Sequence, residues 1–297
     1  VKGRDGCVYA LPRQKGQQVR RINPQNSSVC EMGPPLKTAL PHGYFAADDA
    51  GVLYGLSMHS PPKILRIDPN TGDVREMPHD LGRRLAGANH SCLALAPNGS
   101  LYSPPASVGH VLEINPADGG VALVGDKIEE SNNNQVVQVD QYRSIAVARN
   151  GCLYSPPRDA NHVLEIDPAR RKVSIIGEAI EAGVADKYTE LCLAGNGKLY
   201  AAPDEASRVL EIDPEAHAAR QIGLDLKQYG GFSPLSMDRT GRLWAASIST
   251  TLPEAVLLEV CAEEGEVKVH KLAEFMTGAP TSGANAVYDL WAMAGNG

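Results

Sequence analysis

Residues 142–168 read YRSIAVARNGCLYSPPRDANHVLEIDP, and this stretch contains the first three strands of a repeated four-strand pattern. Residues 144–148 are a short apolar run, which is typical of a buried inner strand. Asn150-Gly151 then predicts a tight type I′ hairpin turn into a second strand. The Pro-Pro pair that follows indicates a loop, because proline cannot donate to a strand ladder. Alternation over 163–166 predicts a third strand, and residues 172–177 predict a fourth.

The same pattern occurs six times along the chain, at a spacing of 44 to 52 residues. Each copy has a turn glycine that is followed two and three residues later by an apolar residue and an aromatic residue. The turn glycines are Gly6, Gly51, Gly99, Gly151, Gly197 and Gly241. A period of this length, built from short strands, is typical of β-propeller blades. The sequence therefore predicts an all-β, six-bladed β-propeller with four-stranded antiparallel blades, in a single domain over residues 1–297.

The first blade lacks most of its inner strand, while residues 287–294 form an apolar run without a partner. We therefore expect the C-terminal strand to join the N-terminal blade and close the ring, which leaves no open sheet edge there. Residues 1–6 and 292–297 match the same position in the repeat. Because the charged Lys2 and Arg4 fit an interior poorly, we expect residues 292–297 to occupy this position in the first blade. The predicted blades are 1–35 with 285–297, 41–80, 89–125, 140–178, 187–224 and 230–273.

One residue before the end of each third strand, every copy carries a charge. The charged residues are Arg21, Arg66, Glu113, Glu165, Glu211 and Glu259. Strand alternation predicts that they point outward into solvent.

Charge and motifs exclude several classes of function. The net charge of −7, from 28 basic and 35 acidic residues, argues against nucleic acid and anionic lipid as partners. No run of 18 apolar residues occurs, so the sequence predicts a soluble chain without membrane insertion. The six cysteines have no C-x-x-C spacing, which favours free thiols in a reducing intracellular compartment. No phosphate-cradling, zinc-protease or serine-hydrolase motif is present, so we predict no cofactor and no catalytic residue.

Nine residues before the turn glycines from Gly51 to Gly241, and before Gly297 of the C-terminal copy, the sequence has a flat ring. The ring residues are His42, His90, Tyr142, Tyr188, Phe232 and Tyr288. In a propeller this position begins the inner strand. The rings either wedge between neighbouring blades, as repeated aromatic residues commonly do, or line a funnel that binds a ligand or peptide.

Less regular residues are expected on the same face. His110 and His162 lie at matched positions before the third strand, where the fifth copy has Arg208. Two histidines in adjacent blades can ligate a metal ion, but no clustered carboxylate or thiol joins them in sequence, so no metal site is predicted. Glu190 is the only acid at its repeat position, and it is either a site residue or a solvated strand end.

The repeats at Tyr142–Pro168 and Tyr188–Pro214 resemble those of an uncharacterised family of β-propeller proteins. The shared pattern is an aromatic residue, an inner strand, Asn-Gly, Leu-Tyr, a proline loop and Val-Leu-Glu-Ile-Asp-Pro. The resemblance covers the whole chain, with degenerate first, second and sixth copies, and is broadly similar to kelch, NHL and YVTN-type propellers. It implies a fold but no activity, because propellers carry many unrelated functions.

These observations favour a non-catalytic binding or scaffold module that recognises a protein or peptide through its loop face. The candidate contact residues are His90, His110, Tyr142, His162, Tyr188, Glu190 and Arg208. One alternative is a hydrolase or lyase with its site in the axial funnel, with or without a metal ion, which needs Asp48, Asp238, Glu190 or the two histidines to converge. Another alternative is a structural subunit of a larger assembly.

Overall fold

The structure is a computed structural model that describes residues 2–12, 14–37, 44–56, 63–78, 90–107, 109–128, 140–249 and 255–271. Over these ranges the chain is all-β, with 23 strands and one short 3-10 helix. The strands pair into six antiparallel sheets, of which five have four strands and one has three. The chain divides into two compact units, unit 1 at Val1–Ile175 and unit 2 at Ile176–Gly297. No helix within the described ranges is long and apolar enough to cross a membrane.

Unit 1 contains four sheets. The first is β1 (Val8–Ala10), β2 (Val19–Asn23) and β3 (Ser28–Met32). The second is β4 (Tyr44–Ala47), β5 (Leu53–Leu56), β6 (Ile64–Ile67) and β7 (Val74–Met77). The third is β8 (Ala94–Leu95), β9 (Leu101–Ser103), β10 (Gly109–Ile114) and β11 (Val121–Ile128). The fourth is β12 (Ala146–Val147), β13 (Leu153–Ser155), β14 (Val163–Asp167) and β15 (Lys172–Ile176), whose last residue opens unit 2.

Unit 2 contains two sheets and the 3-10 helix at Lys227–Tyr229. The fifth sheet is β16 (Cys192–Leu193), β17 (Leu199–Ala201), β18 (Val209–Asp213) and β19 (Ala218–Ile222). The sixth is β20 (Ser236–Met237), β21 (Leu243–Ala246), β22 (Val256–Cys261) and β23 (Glu266–Lys271). In all six sheets the strands are hydrogen-bonded in chain order, as a meander with short connections requires.

Apolar side chains of consecutive sheets form shared cores. Tyr54 and Leu56 of the second sheet cluster with Leu112 and Ile114 of the third. In unit 2, Tyr200 of the fifth sheet clusters with buried residues of the sixth. In several sheets, a glycine that directly follows the last strand lies close to a residue in the last strand of the next sheet along the chain. The four pairs are Gly33 with Val74, Gly125 with Val173, Gly177 with Ala219 and Gly223 with Val267.

The hairpin between β12 and β13 is not the predicted type I′ turn. The N–H of Gly151 donates to the carbonyl of Ala148 at 3.1 Å, and Gly151 has a φ of 83°. Asn150 has a negative φ, whereas a type I′ turn needs a positive φ at this position. The loop is therefore a type I turn followed by a left-handed glycine. The side-chain oxygen of Asn150 accepts from the N–H of Cys152 at 3.0 Å. This bond holds the asparagine in the ordinary right-handed region and leaves only the glycine reversed.

The first residues of the chain take the slot that we expected the C-terminal copy to fill. The N–H of Gly3 donates to the carbonyl of Cys7 at 2.8 Å, which matches the bond from Ala148 to Cys152 at 2.9 Å in the fourth sheet. That expectation is therefore wrong for residues 2–6. Lys2 is exposed and Arg4 pairs with Asp49 at 3.1 Å, so their charges do not enter the interior. Ring closure by residues 285–297 lies outside the described residues.

Candidate functional site

The rings at the start of the inner strands are interior side chains wherever the structure describes them. His90, Tyr142 and Tyr188 are fully buried, and Phe232 is 2% exposed. The phenol of Tyr142 donates to the carbonyl of His162 at 3.1 Å, and that of Tyr188 donates to the carbonyl of Arg208 at 2.9 Å. Each phenol thus holds the segment that leads into the third strand of its own sheet. His42 and Tyr288 lie outside the described residues.

Two of the predicted histidines of unit 1 are engaged within the fold. Nδ1 of His90 lies 3.1 Å from the carbonyl of Pro104, and burial lowers the pKa of His90 to about 4, so the imidazole is neutral. Nδ1 of His110 lies 3.2 Å from the carbonyl of Gly125. At His162 it is the backbone carbonyl that accepts the hydrogen bond from Tyr142. Across the described ranges, no group of three His, Cys, Asp or Glu side chains is arranged to hold a metal ion.

The glutamates of the third strands point inward, so the prediction that they face solvent is wrong for all four. Their exposure is 7%, 7%, 3% and 2% at Glu113, Glu165, Glu211 and Glu259. In the fourth sheet, Tyr154 donates to Glu165 at 2.8 Å and Asn150 donates to Tyr154 at 3.1 Å. The third and fifth sheets repeat this network with Asn98, Tyr102 and Glu113, and with Asn196, Tyr200 and Glu211. The asparagine of the turn is therefore bonded to a buried tyrosine, which in turn donates to the buried glutamate.

Where the third strand carries arginine, the turn supplies the acid. In the first sheet Asp5 accepts from Tyr9 at 2.7 Å and from Arg21 at 2.8 Å. Asp48 likewise accepts from Tyr54 at 3.3 Å in the second sheet. In both sheets the tyrosine that follows the turn therefore donates to an aspartate of the turn, while Arg66 of the second sheet pairs with Asp68 and Asp73.

The same arrangement uses an indole in the sixth sheet. Asp238 accepts from Nε1 of Trp244 at 2.9 Å. Burial raises the pKa of Asp238, but hydrogen bonds from Thr240 and Trp244 outweigh it and lower the pKa to about 2. Asp48 and Asp238, which a funnel hydrolase would need at one site, each belong to the turn of their own sheet.

The antiparallel meander places one set of connections at one end of the fifth sheet. Tyr188 bridges to Pro203, and Val209 lies opposite Ile222. Residues 177–191, 203–208 and 223–231 therefore meet at this end, which we call the loop end. Arg208 and Glu190 are both exposed there. Leu224, at 39% exposure, follows β19 at the same end.

Glu181, which sequence reasoning missed, organises the loop end. Its Oε1 accepts from the N–H and the hydroxyl of Ser207 at 2.8 and 2.6 Å and from Gln221 at 2.6 Å. Its Oε2 lies 3.3 Å from Nζ of Lys227. Burial raises the pKa of Glu181, but the bonds from Ser207 and Gln221 and the charge of Lys227 outweigh it and lower the pKa to about 2. No repeat position marks this glutamate, because it lies in a connection that varies between copies.

Solved structures similar to this chain are β-propeller-like proteins. A streptogramin B lyase structure matches with a TM-score of 0.60 at 12% identity, over 82% of this chain and 74% of that one. A virginiamycin B lyase from Staphylococcus aureus gives a TM-score of 0.56 at 14% identity, over 80% and 71%. YCF48 bound to D1 peptide gives a TM-score of 0.54 at 11% identity, over 87% and 74%.

At these identities the likeness defines the class of fold, and the chain is an all-β protein of the β-propeller class. No protein-family model matches the chain, and no curated protein matches its sequence. The broad resemblance to propellers is thus shown at the level of structure.

Proposed function

We propose that this chain is a non-catalytic binding module that recognises a protein or peptide through the loop end of its sheets. The observation that carries the proposal is that two charged side chains of unit 2 are exposed and have no partner among the described residues. Arg208 and Glu190 are exposed, and neither side chain makes a hydrogen bond or ion pair with any residue in the described ranges. Unpaired charges of opposite sign at one end of a sheet suit a partner that supplies the complementary charges.

A fixed backbone beneath these charges supports recognition. The carbonyl of Arg208 is held by the buried Tyr188, and the neighbouring Ser207 is held by Glu181. Binding then needs little ordering of the backbone, which lowers its entropic cost. In unit 2, Arg208 and Glu190 supply contacts, and Tyr188 positions the segment that carries Arg208. In unit 1, His110 and His162 are the proposed contacts, Tyr142 positions the segment that carries His162, and His90 positions the backbone at Pro104.

The finer features of the propeller belong to the same proposal. Six antiparallel sheets in succession support six blades in one domain, and the quoted repeats support membership of the resembled propeller family. Among the similar structures, one is a propeller-like protein bound to a peptide, which supports a peptide partner for this fold. Membership of a larger assembly is compatible with the same surface.

A charge-reversal pair tests the surface. The double variant Arg208→Glu with Glu190→Lys changes the loop end without changing the net charge. The matched control is Arg239→Glu with Glu215→Lys, because both residues are exposed and lie in turns at the other end of the unit 2 sheets. Tagged wild type and both variants are used for quantitative affinity purification from the native source, with circular dichroism to verify folding.

We expect proteins that the wild type and the control retain to be lost from the Arg208 and Glu190 variant. Equal recovery by all three proteins would refute this surface. Metal analysis of the purified wild type is the companion measurement, because a stoichiometric divalent ion would favour the metal-assisted enzyme instead.

A further inference from the structure

The carboxylate of Glu181 is surrounded by donors from separate parts of unit 2. Ser207 contributes a backbone N–H and a hydroxyl, Gln221 contributes a side-chain amide, and Lys227 contributes an ammonium group. The Glu181 side chain is only 16% exposed. Four donors on two carboxylate oxygens satisfy this group almost completely.

The donors are held in place by bonds that do not involve Glu181. The carbonyl of Ser207 accepts from the N–H of Leu226 at 2.7 Å. Gln221 lies opposite Leu210 in the sheet, and its amide also donates to the phenol of Tyr188 at 3.0 Å. The N–H of Lys227 donates to Asp225 at 3.0 Å. The donor set is therefore preorganised by the fifth sheet and the 3-10 helix.

The segment that delivers the carboxylate is mostly exposed, and it is tied at its C-terminal end by bonds to the carbonyls of Val184 and Asp186. Residues 178, 179, 182, 183 and 185 are exposed, and within 178–185 only Ile180 is buried. Glu181 has a φ of 40° and Asp186 a φ of 53°, in the left-handed region that non-glycine residues seldom adopt. The segment that carries the bonded carboxylate thus includes two residues in an unfavourable backbone conformation.

We propose that Ser207, Gln221 and Lys227 form a receptor for a carboxylate, that Glu181 is its tethered ligand, and that residues 178–186 are a strap released when another carboxylate takes the receptor. The ligand class is a small carboxylic acid or an acidic side chain of a peptide. The proposal goes beyond the proposed function, because the receptor needs no macromolecular partner to be tested.

Chemical rescue tests the receptor. The variant Glu181→Gly removes the carboxylate and also relieves the strain of the positive φ. The control is Glu178→Gly, because Glu178 is an exposed acid of the same strap with no side-chain bond inside the described ranges. Amide hydrogen exchange is measured across residues 178–186 in sodium chloride and in sodium acetate of equal ionic strength. We expect strap exchange to be about tenfold faster in Glu181→Gly than in the control. The backbone amide of Ser207, followed in the same experiment, should lose protection in Glu181→Gly and regain it saturably in acetate but not in chloride.

A peptide arm separates the two sources of carboxylate. Acetyl-Gly-Glu-Gly-amide that protects Ser207 at lower concentration than acetate indicates an acidic side chain, while protection by acetate alone indicates a small acid. The absence of protection by either carboxylate, with the rest of the sheet intact, would overturn the receptor. If Glu181→Gly does not fold, Ser207→Ala and Lys227→Ala are measured instead, and strap exchange unchanged from wild type in both would overturn the tether. None of these outcomes depends on partner capture, so the two proposals fail separately.

Discussion

Replacing Gly223 by alanine perturbs the contact between the fifth and sixth sheets. Gly223 follows β19 with a φ of 78°, and an added Cβ would lie 2.5 Å from Cβ of Val267. A left-handed alanine costs about 1–2 kcal/mol, and overpacking a core contact costs a further 1–3 kcal/mol or so. We therefore expect Gly223→Ala to lower the free energy of unfolding by about 2–5 kcal/mol.

Gly265→Ala is the matched control for this prediction. Gly265 has a φ of 70°, but nothing lies within 4 Å of its added Cβ, so only the backbone term of about 1–2 kcal/mol applies. Urea titrations of both variants give the difference. Val267→Gly in the Gly223→Ala background should make the double variant less destabilised than the sum of the two single variants. Equal losses in Gly223→Ala and Gly265→Ala would refute the claim that the sheets meet in close contact here.

Three further predictions follow from buried polar groups. Tyr154→Phe should lower the free energy of unfolding by about 1–3 kcal/mol in urea titrations, because Glu165 loses a buried donor, and a neutral result would contradict the network. The pKa of Glu181 is lowered from 4.5 to about 2, so the ionised carboxylate stabilises the fold fully above pH 4.5, and this stabilisation is lost as pH falls toward 2. In urea titrations, the difference in unfolding free energy between wild type and Glu181→Ala should therefore shrink from pH 4.5 to pH 2. A constant difference would argue against the ion pair. A thiol reagent should label the exposed Cys30 in the native protein but not the buried Cys92, whose pKa is raised by burial; rapid labelling of Cys92 would show that it is accessible.

The strand pattern is local information, and the sequence was sufficient to determine it. Apolar alternation, turn glycines and Asx-Pro pairs lie within a few residues of the elements they define, so each predicted run of strands corresponds to one described sheet, although β11 (Val121–Ile128) continues past the residue at which the third pattern ends. The matched segments at Tyr142 with His162 and at Tyr188 with Arg208 were likewise placed by repeat position and are joined in the structure.

The orientation and partners of the charged residues depend on contacts between segments that are distant in the sequence. Strand alternation does not distinguish solvent from a buried polar network. Glu165 lies inside because the phenol of Tyr154 donates to it, and Asn150 donates in turn to that phenol. Glu181 meets Ser207 and Gln221 across 26 and 40 residues of chain, in a connection that no repeat describes. Local propensity specifies backbone conformation, whereas the partner of a buried charge depends on which distant segments the packed sheets bring together.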